Sequence, residues 1–240
     1  MRAAIGWVIL IVLFCWAVGT QLPQQRPPLD GFRLTTLGEH GSLAPETMRK
    51  YVRDSNNSLS YGRLGLNSMT GSAEQFARDH PDLGLTARPG TAEFNQQWEA
   101  AATNNPFILD QAERDWYEIH AIAPARQALS TFKDNISQDP RVLAYMADRF
   151  DQMSTKGLQR TLDVARSALT PEEFIRAVSD NDRANIVNDF PNALKGGVAT
   201  AEGLLRRIRL RETNGESESD ALRIAEQPTP PSATGPQPGL

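Results

Sequence analysis

At 240 residues and 40% hydrophobic content, the chain is long enough to bury one sizeable core. A formal net charge of −4 gives no ground for nucleic-acid binding. The lone cysteine, Cys15, excludes a disulfide framework, and His40, His80 and His120 lack metal-ligand spacing, so neither a metal nor another cofactor is expected.

Residues 1–21 carry the targeting signal. Arg2 precedes an apolar run over residues 3–18, intermediate between a signal-peptide core and the roughly 20 apolar residues of a full membrane span. Ala17-Val18-Gly19 is a passable cleavage site, but Trp16 and the length of the run favour an uncleaved transmembrane anchor. One basic residue ahead of the run places the domain outside the cytoplasm, on the periplasmic side of the inner membrane, or secreted if the signal is cleaved. Arg26 and Arg33 follow the run and weaken that bias. Residues 22–29 (LPQQRPPL) read as a stiff Pro-rich linker.

Asp30 is placed to cap a short helix over 31–38, which offers Phe32, Leu34 and Leu37 to a core and brings Glu39 to its C-terminal end. The negative end of the helix dipole disfavours a charged carboxylate there, as suits a proton donor. Ser42 and Pro45 introduce a second helix through Val52, which Asp54-Ser55-Asn56-Asn57 breaks. One or two short strands are expected over 59–66, with Gly62, Gly65 and Gly71 for turns or close ligand approach.

From Ser72 the pattern is helical. Ser72 is expected to cap 73–80, and Thr91 to cap 92–103 with Phe94, Trp98, Ala101 and Ala102 on one face. A long helix runs from Pro106 to about Phe132, kinked at Pro124, with Phe107, Ile108, Ala112, Trp116, Ile119 and Ala123 inward. Asp139-Pro140 opens a helix over 141–151 and Ser154 one over 155–168. Thr170-Pro171-Glu172-Glu173 combines an N1 proline with a capping box, and helices over 180–189 and 191–213 complete the set. Residues 215–240 lack the apolar content to fold and read as a disordered tail. The expected architecture is mainly α: one helical domain over 30–214 with a small β-region near its N-terminus.

The chemistry gathers in the first part of that domain. Glu39 sits in a Gly38-Glu39-His40-Gly41 corner, and Asp54 follows fifteen positions later. A polar run comes next, from Ser60-Tyr61-Gly62 to Asn67-Ser68-Met69-Thr70-Gly71. Glycoside hydrolysis needs such a pair, one carboxyl to protonate the leaving oxygen and another to activate water or attack the sugar. The run between helices would make the wall of a sugar groove.

In order and spacing these pieces resemble the chitosanase-like branch of the lysozyme superfamily, which includes lysozyme-like domains of type VI secretion spikes and phage proteins. The matching residues are Glu39-His40-Gly41, Asp54, Ser60-Tyr61-Gly62 and Thr70-Gly71. The similarity continues through residues 84–94, Trp98, Asp110-Gln111, His120 and Pro124-Ala125. The resemblance implies an α+β lysozyme-like fold and hydrolysis of β-1,4-linked amino-sugar polymers, with inversion. It makes Glu39 the general acid, Asp54 the base and Ser60 a hydroxyl that helps position water. Tyr61, Arg63, Asn67, Ser68 and Thr70 would line the groove, and His120 would pack behind it.

Two departures stand out. The loop between the acids, residues 43–53, reads helical rather than glycine-rich, and it contains Glu46 as an alternative acid. The leading expectation is a peptidoglycan hydrolase held beside the wall by a membrane helix. The alternatives are a chitosanase, or a non-catalytic module that binds peptidoglycan or serves envelope assembly.

Overall fold

The computed structural model describes residues 29–40, 42–54, 57–152, 155–189, 198–213 and 223. The anchor run, residues 22–28 of the linker and nearly all of the tail lie outside them. Among the described residues no helix is long and apolar enough to cross a membrane.

Asp30 opens the first helix, α1 (Gly31–His40), by accepting the backbone N–H of Arg33 at 2.8 Å. Two apolar groups pack on this helix. Phe32 joins the main core, while Leu34 and Leu37 close a second, smaller cluster with Ala144, Leu210 and Leu29. Leu29 was expected at the end of an extended linker; it is buried instead, because this second cluster encloses it.

The second expected helix is different. Residues Pro45–Arg49 make one 3₁₀ turn, and at Lys50 the backbone becomes extended. Tyr51–Arg53 is then strand β1, antiparallel to β2 (Leu59–Tyr61), which pairs with β3 (Leu66–Asn67). Tyr51 lies opposite Tyr61 with ring centroids 5.8 Å apart. That cross-strand aromatic contact and the β-branched Val52 favour the strand over another helical turn.

The remaining helices are α2 (Ser72–Asp79), α3 (Ala92–Asn104), α4 (Pro106–Tyr117), α5 (Ala123–Leu129), α6 (Asp134–Ser137), α7 (Pro140–Gln152), α8 (Thr155–Val164), α9 (Pro171–Asp189) and α10 (Val198–Thr213). Most start where the sequence signals them. Thr91 accepts from Phe94 N at 3.2 Å, and Asp139 from Arg141 N at 2.8 Å. Thr170 and Glu173 form the capping box, with Thr170 accepting Glu173 N and Glu173 reaching back to Leu169 N. Ser72 is an exception: it sits inside α2, and its hydroxyl accepts from Asn67 N at 2.8 Å.

The long helix expected from Pro106 is divided. A π-helical turn, Glu118–Ile122, separates α4 from α5, and Ala123 N bonds to Glu118 O across it. Pro124 has no N–H and its ring crowds the turn before it, so the ladder widens there. The additional residue shifts the phase of the buried stripe. Leu109, Ala112, Trp116 and Tyr117 line the core before it, and Ala121, Ala125 and Leu129 after it. Phe107, Ile108 and Ile119 were expected inward and face out, with Phe107 89% exposed and Ile119 64%.

The main core sets Tyr61, Phe76, Phe94, Trp98 and Trp116 edge to edge behind the sheet. Trp98 Nε1 donates to Met48 O at 2.9 Å, fixing the 3₁₀ turn over α3. The sheet therefore has one face on this aromatic core and the other free to line a groove.

Candidate active site

Strand register decides which side chains share the face of the sheet away from the aromatic core. Val52 lies opposite Ser60, and Ser60 opposite Asn67. Asp54 N donates to Ser58 O at 2.9 Å, which continues the ladder by one more pair. Alternation then puts Val52, Asp54, Ser58, Ser60 and Asn67 on one face, with Tyr51, Tyr61 and Leu66 on the core face.

Asp54 is anchored on that face by three donors. Its Oδ2 accepts from Ser58 Oγ at 2.7 Å, Ser60 Oγ at 2.8 Å and Asn67 Nδ2 at 2.9 Å. Asn67 is fixed from behind, because its Oδ1 accepts the backbone N–H groups of Met69 and Thr70 at 2.8 and 3.1 Å. One oxygen of the carboxylate thus carries all three bonds.

Glu39 approaches from α1, its side chain 31% exposed. Its Oε2 lies over the turn between β2 and β3, where a Cβ on Gly65 would stand 3.3 Å away. Gly65 has φ +65, a left-handed conformation that favours glycine, and a Cβ there would press on the Glu39 carboxylate. On the next residue, His40 Nε2 donates to Gly62 O at 2.7 Å, tying the end of α1 to the same turn. Burial pushes the His40 imidazole below its ordinary range, in keeping with a neutral ring donating one N–H.

The other Glu39 oxygen is held by a residue that the sequence reading missed. Arg207 of α10 donates through Nη1 to Glu39 Oε1, and through Nε and Nη2 to the fully buried Asp148 of α7. Asp148 also accepts from Arg211 Nε at 2.5 Å and Thr35 Oγ1 at 2.7 Å. Burial opposes the Asp148 charge, yet Arg207 and Arg211 hold its carboxyl well below the usual carboxylate range. Thr35 gives its one proton to Asp148, so Tyr117 donates to Thr35 across 2.8 Å. Gly38 leaves room for the Arg207 stem, since a Cβ there would come within 2.8 Å of Arg207 Nε. A positive charge thus stands beside the acid, opposite in sign to what the helix end alone supplies.

Two residues expected in the groove are elsewhere. Tyr61 is fully buried, its hydroxyl donating to Asn95 Oδ1 at 2.7 Å and accepting from Gly90 N at 2.9 Å. Arg63 is also enclosed: its backbone N–H and Nε donate to the two oxygens of buried Glu113 at 2.8 and 2.7 Å. Its Nη2 donates to Asp110 at 2.5 Å and its guanidinium lies over the Phe32 ring. Both residues hold the wall from inside and present nothing to a sugar.

Ser68 is spent on the strand, its Oγ accepting from Leu59 N at 2.9 Å. Thr70 is exposed at the rim beside Met69. Glu46 is exposed on the 3₁₀ turn, away from the three donors that gather on Asp54. His120 stacks on Trp116 at 3.7 Å, a packing role as the resemblance implies. Among the described residues no group of His, Cys, Asp and Glu is arranged to hold a metal ion.

No family model and no curated protein matches the chain. Among solved structures, it is similar to a GH46 chitosanase of Gynuella sunshinyii in complex with chitotetraose. The TM-score is 0.55 and the identity 13%, over 77% of this chain and 88% of that one. At that identity the likeness is one of fold. The mostly helical chain with its three-stranded sheet shares the architecture of that chitosanase, in agreement with the α+β lysozyme-like expectation.

Proposed function

We propose that this protein hydrolyses glycan strands of β-1,4-linked amino sugars, with peptidoglycan as the substrate. Glu39 is the general acid and Asp54 the base that activates water, with Ser60 and Asn67 orienting Asp54. The observation that carries this reading is the pair of differently held carboxylates. Asp54 is fixed on the sheet face by Ser58, Ser60 and Asn67, and Glu39 reaches the same sheet's turn from the end of α1. Two-carboxylate glycoside hydrolysis needs two such acids in different settings. Residues 3–18 would tether the enzyme to the membrane, beside the wall.

A second reading, a module that binds the glycan without cutting it, draws on Arg207. Its guanidinium already occupies Glu39 Oε1, which leaves that oxygen less open to a leaving group. Release of reducing ends from purified peptidoglycan separates the two. The hydrolase reading expects release by the wild type and its loss in both Glu39→Gln and Asp54→Asn. Release that survives Glu39→Gln moves the acid to Glu46, and folded protein that binds without releasing ends establishes the binding module.

A further inference from the structure

The groove face of the sheet carries one more charged residue, Lys50. Gly62 N donates to Lys50 O at 2.9 Å, which continues the β1–β2 register one pair beyond Tyr51 and Tyr61. Lys50 has an extended backbone (φ −72, ψ 143), so alternation places it on the face of Val52 and Asp54. Arg53 is one step out of phase and belongs to the other face. At about 3.3 Å per residue, Lys50 and Asp54 lie about 13 Å apart along the strand. His40 holds the opposite side of Gly62, so Lys50 stands at the Glu39 end of the groove.

Its charge is uncommitted. Lys50 is exposed and has no ion pair among the described residues, whereas Arg63 and Arg207 are buried and bound to carboxylates. The acids of the groove are engaged: Glu39 by Arg207, Asp54 by three donors. This sheet face therefore offers an ammonium without an ion-pair partner, beside an Asp54 carboxylate that only neutral donors hold. A polycationic strand of deacetylated amino sugars would meet like charge at Lys50. A strand bearing carboxylates would gain a partner.

We infer that Lys50 recognises a carboxylate of the glycan and makes this groove selective for an acidic amino-sugar strand. The inference rests on the proposed glycan reading and deepens it. In peptidoglycan the carboxylate belongs to the peptide where one is attached, because the sugar's acidic substituent is then an amide, and to the sugar where the peptide has been removed.

The test measures co-sedimentation of the full-length chain with five polymers: intact peptidoglycan, strands freed of peptide, both of these after carbodiimide amidation of their carboxylates, and chitosan. The expected result is about tenfold tighter binding to charged than to amidated strands, a difference that Lys50→Gln erases, with chitosan bound most weakly. Discrimination on the intact polymer alone assigns the carboxylate to the peptide, discrimination on the freed strands alone assigns it to the sugar, and discrimination on both shows that Lys50 reads either. Equal affinity for charged and amidated strands, no binding to any polymer, or a difference unchanged in Lys50→Gln overturns the inference. Reducing ends counted in the same tubes report separately on the hydrolase reading. That reading fails if none are released, whatever the binding shows.

Discussion

Arg207 joins Glu39 to Asp148: its Nη1 donates to Glu39, while Nε and Nη2 donate to Asp148 at 3.0 and 2.5 Å. One planar guanidinium thus sets the position of the proposed acid against a buried anchor on another helix. The geometry needs the fork of arginine, because a lysine offers a single point charge.

Arg207→Lys should therefore lower kcat by about tenfold or more while leaving KM close to the wild-type value, because misplacing a reacting group costs rate before binding. Kinetics on a soluble glycan, run at a temperature where circular dichroism shows both proteins folded, check this. An unchanged kcat would reduce Arg207 to a purely structural residue.

Asp148 should give the fold an acid-sensitive arm. Its folded pKa is depressed, so its contribution to stability is fully present above the unfolded value of about 3.9 and is lost as pH falls toward the folded one. Denaturant unfolding at pH values from about 7 down to about 3 should show stability dropping in the lowest part of that range. Asp148→Asn should cost about 3–5 kcal/mol at neutral pH, since it leaves buried arginines short of a partner, and should flatten the acid arm.

Asn67→Ala removes one donor from Asp54 and frees the backbone N–H groups of Met69 and Thr70. A loss of about tenfold in kcat, with about 1 kcal/mol of stability, is expected from hydrogen bonds of this kind. Comparison with Ser58→Ala, which also removes one Asp54 donor but leaves the Met69–Thr70 turn intact, separates the two effects. Equal activity in Asn67→Ala and wild type would show that Asp54 does not depend on this support.

Arg63→Ala should act on folding. Glu113 is fully buried and accepts from the Arg63 backbone N–H and from its Nε, so removing the guanidinium leaves the buried carboxyl one backbone bond and no charge partner. The expected cost is about 3–5 kcal/mol in urea unfolding. KM for any glycan should stay unchanged in the fraction that folds, and a raised KM with unaltered stability would return Arg63 to the groove.

Helix starts were legible because caps are local chemistry. Asp30, Thr91, Asp139 and the Thr170–Glu173 box each satisfy N–H groups within three or four residues, so composition alone announces them. Glu39, Asp54, Ser60 and Asn67 were named from the sequence, but the grouping of Asp54 with Ser60 and Asn67 came only with the pairing of β1, β2 and β3. Tyr51 and Val52 were misread as helical because the choice depended on Tyr61 across the sheet. Ile119 was turned outward by a π-helical turn that a 3.6-residue period does not contain, and Phe107, in the first turn of α4, lies off the stripe of Leu109, Ala112 and Trp116.

The sequence by itself determined a helical domain with a small sheet near its N-terminus, and it put two acids beside a polar run. Only the tertiary structure decided how those acids are held. Arg207 lies 168 positions from Glu39, and Glu113 lies 50 from Arg63. No local pattern links such pairs, because an arginine on a helix reads as a solvated surface residue until packing removes its water. Once buried, it must be met by a carboxylate that folding has brought to the same place.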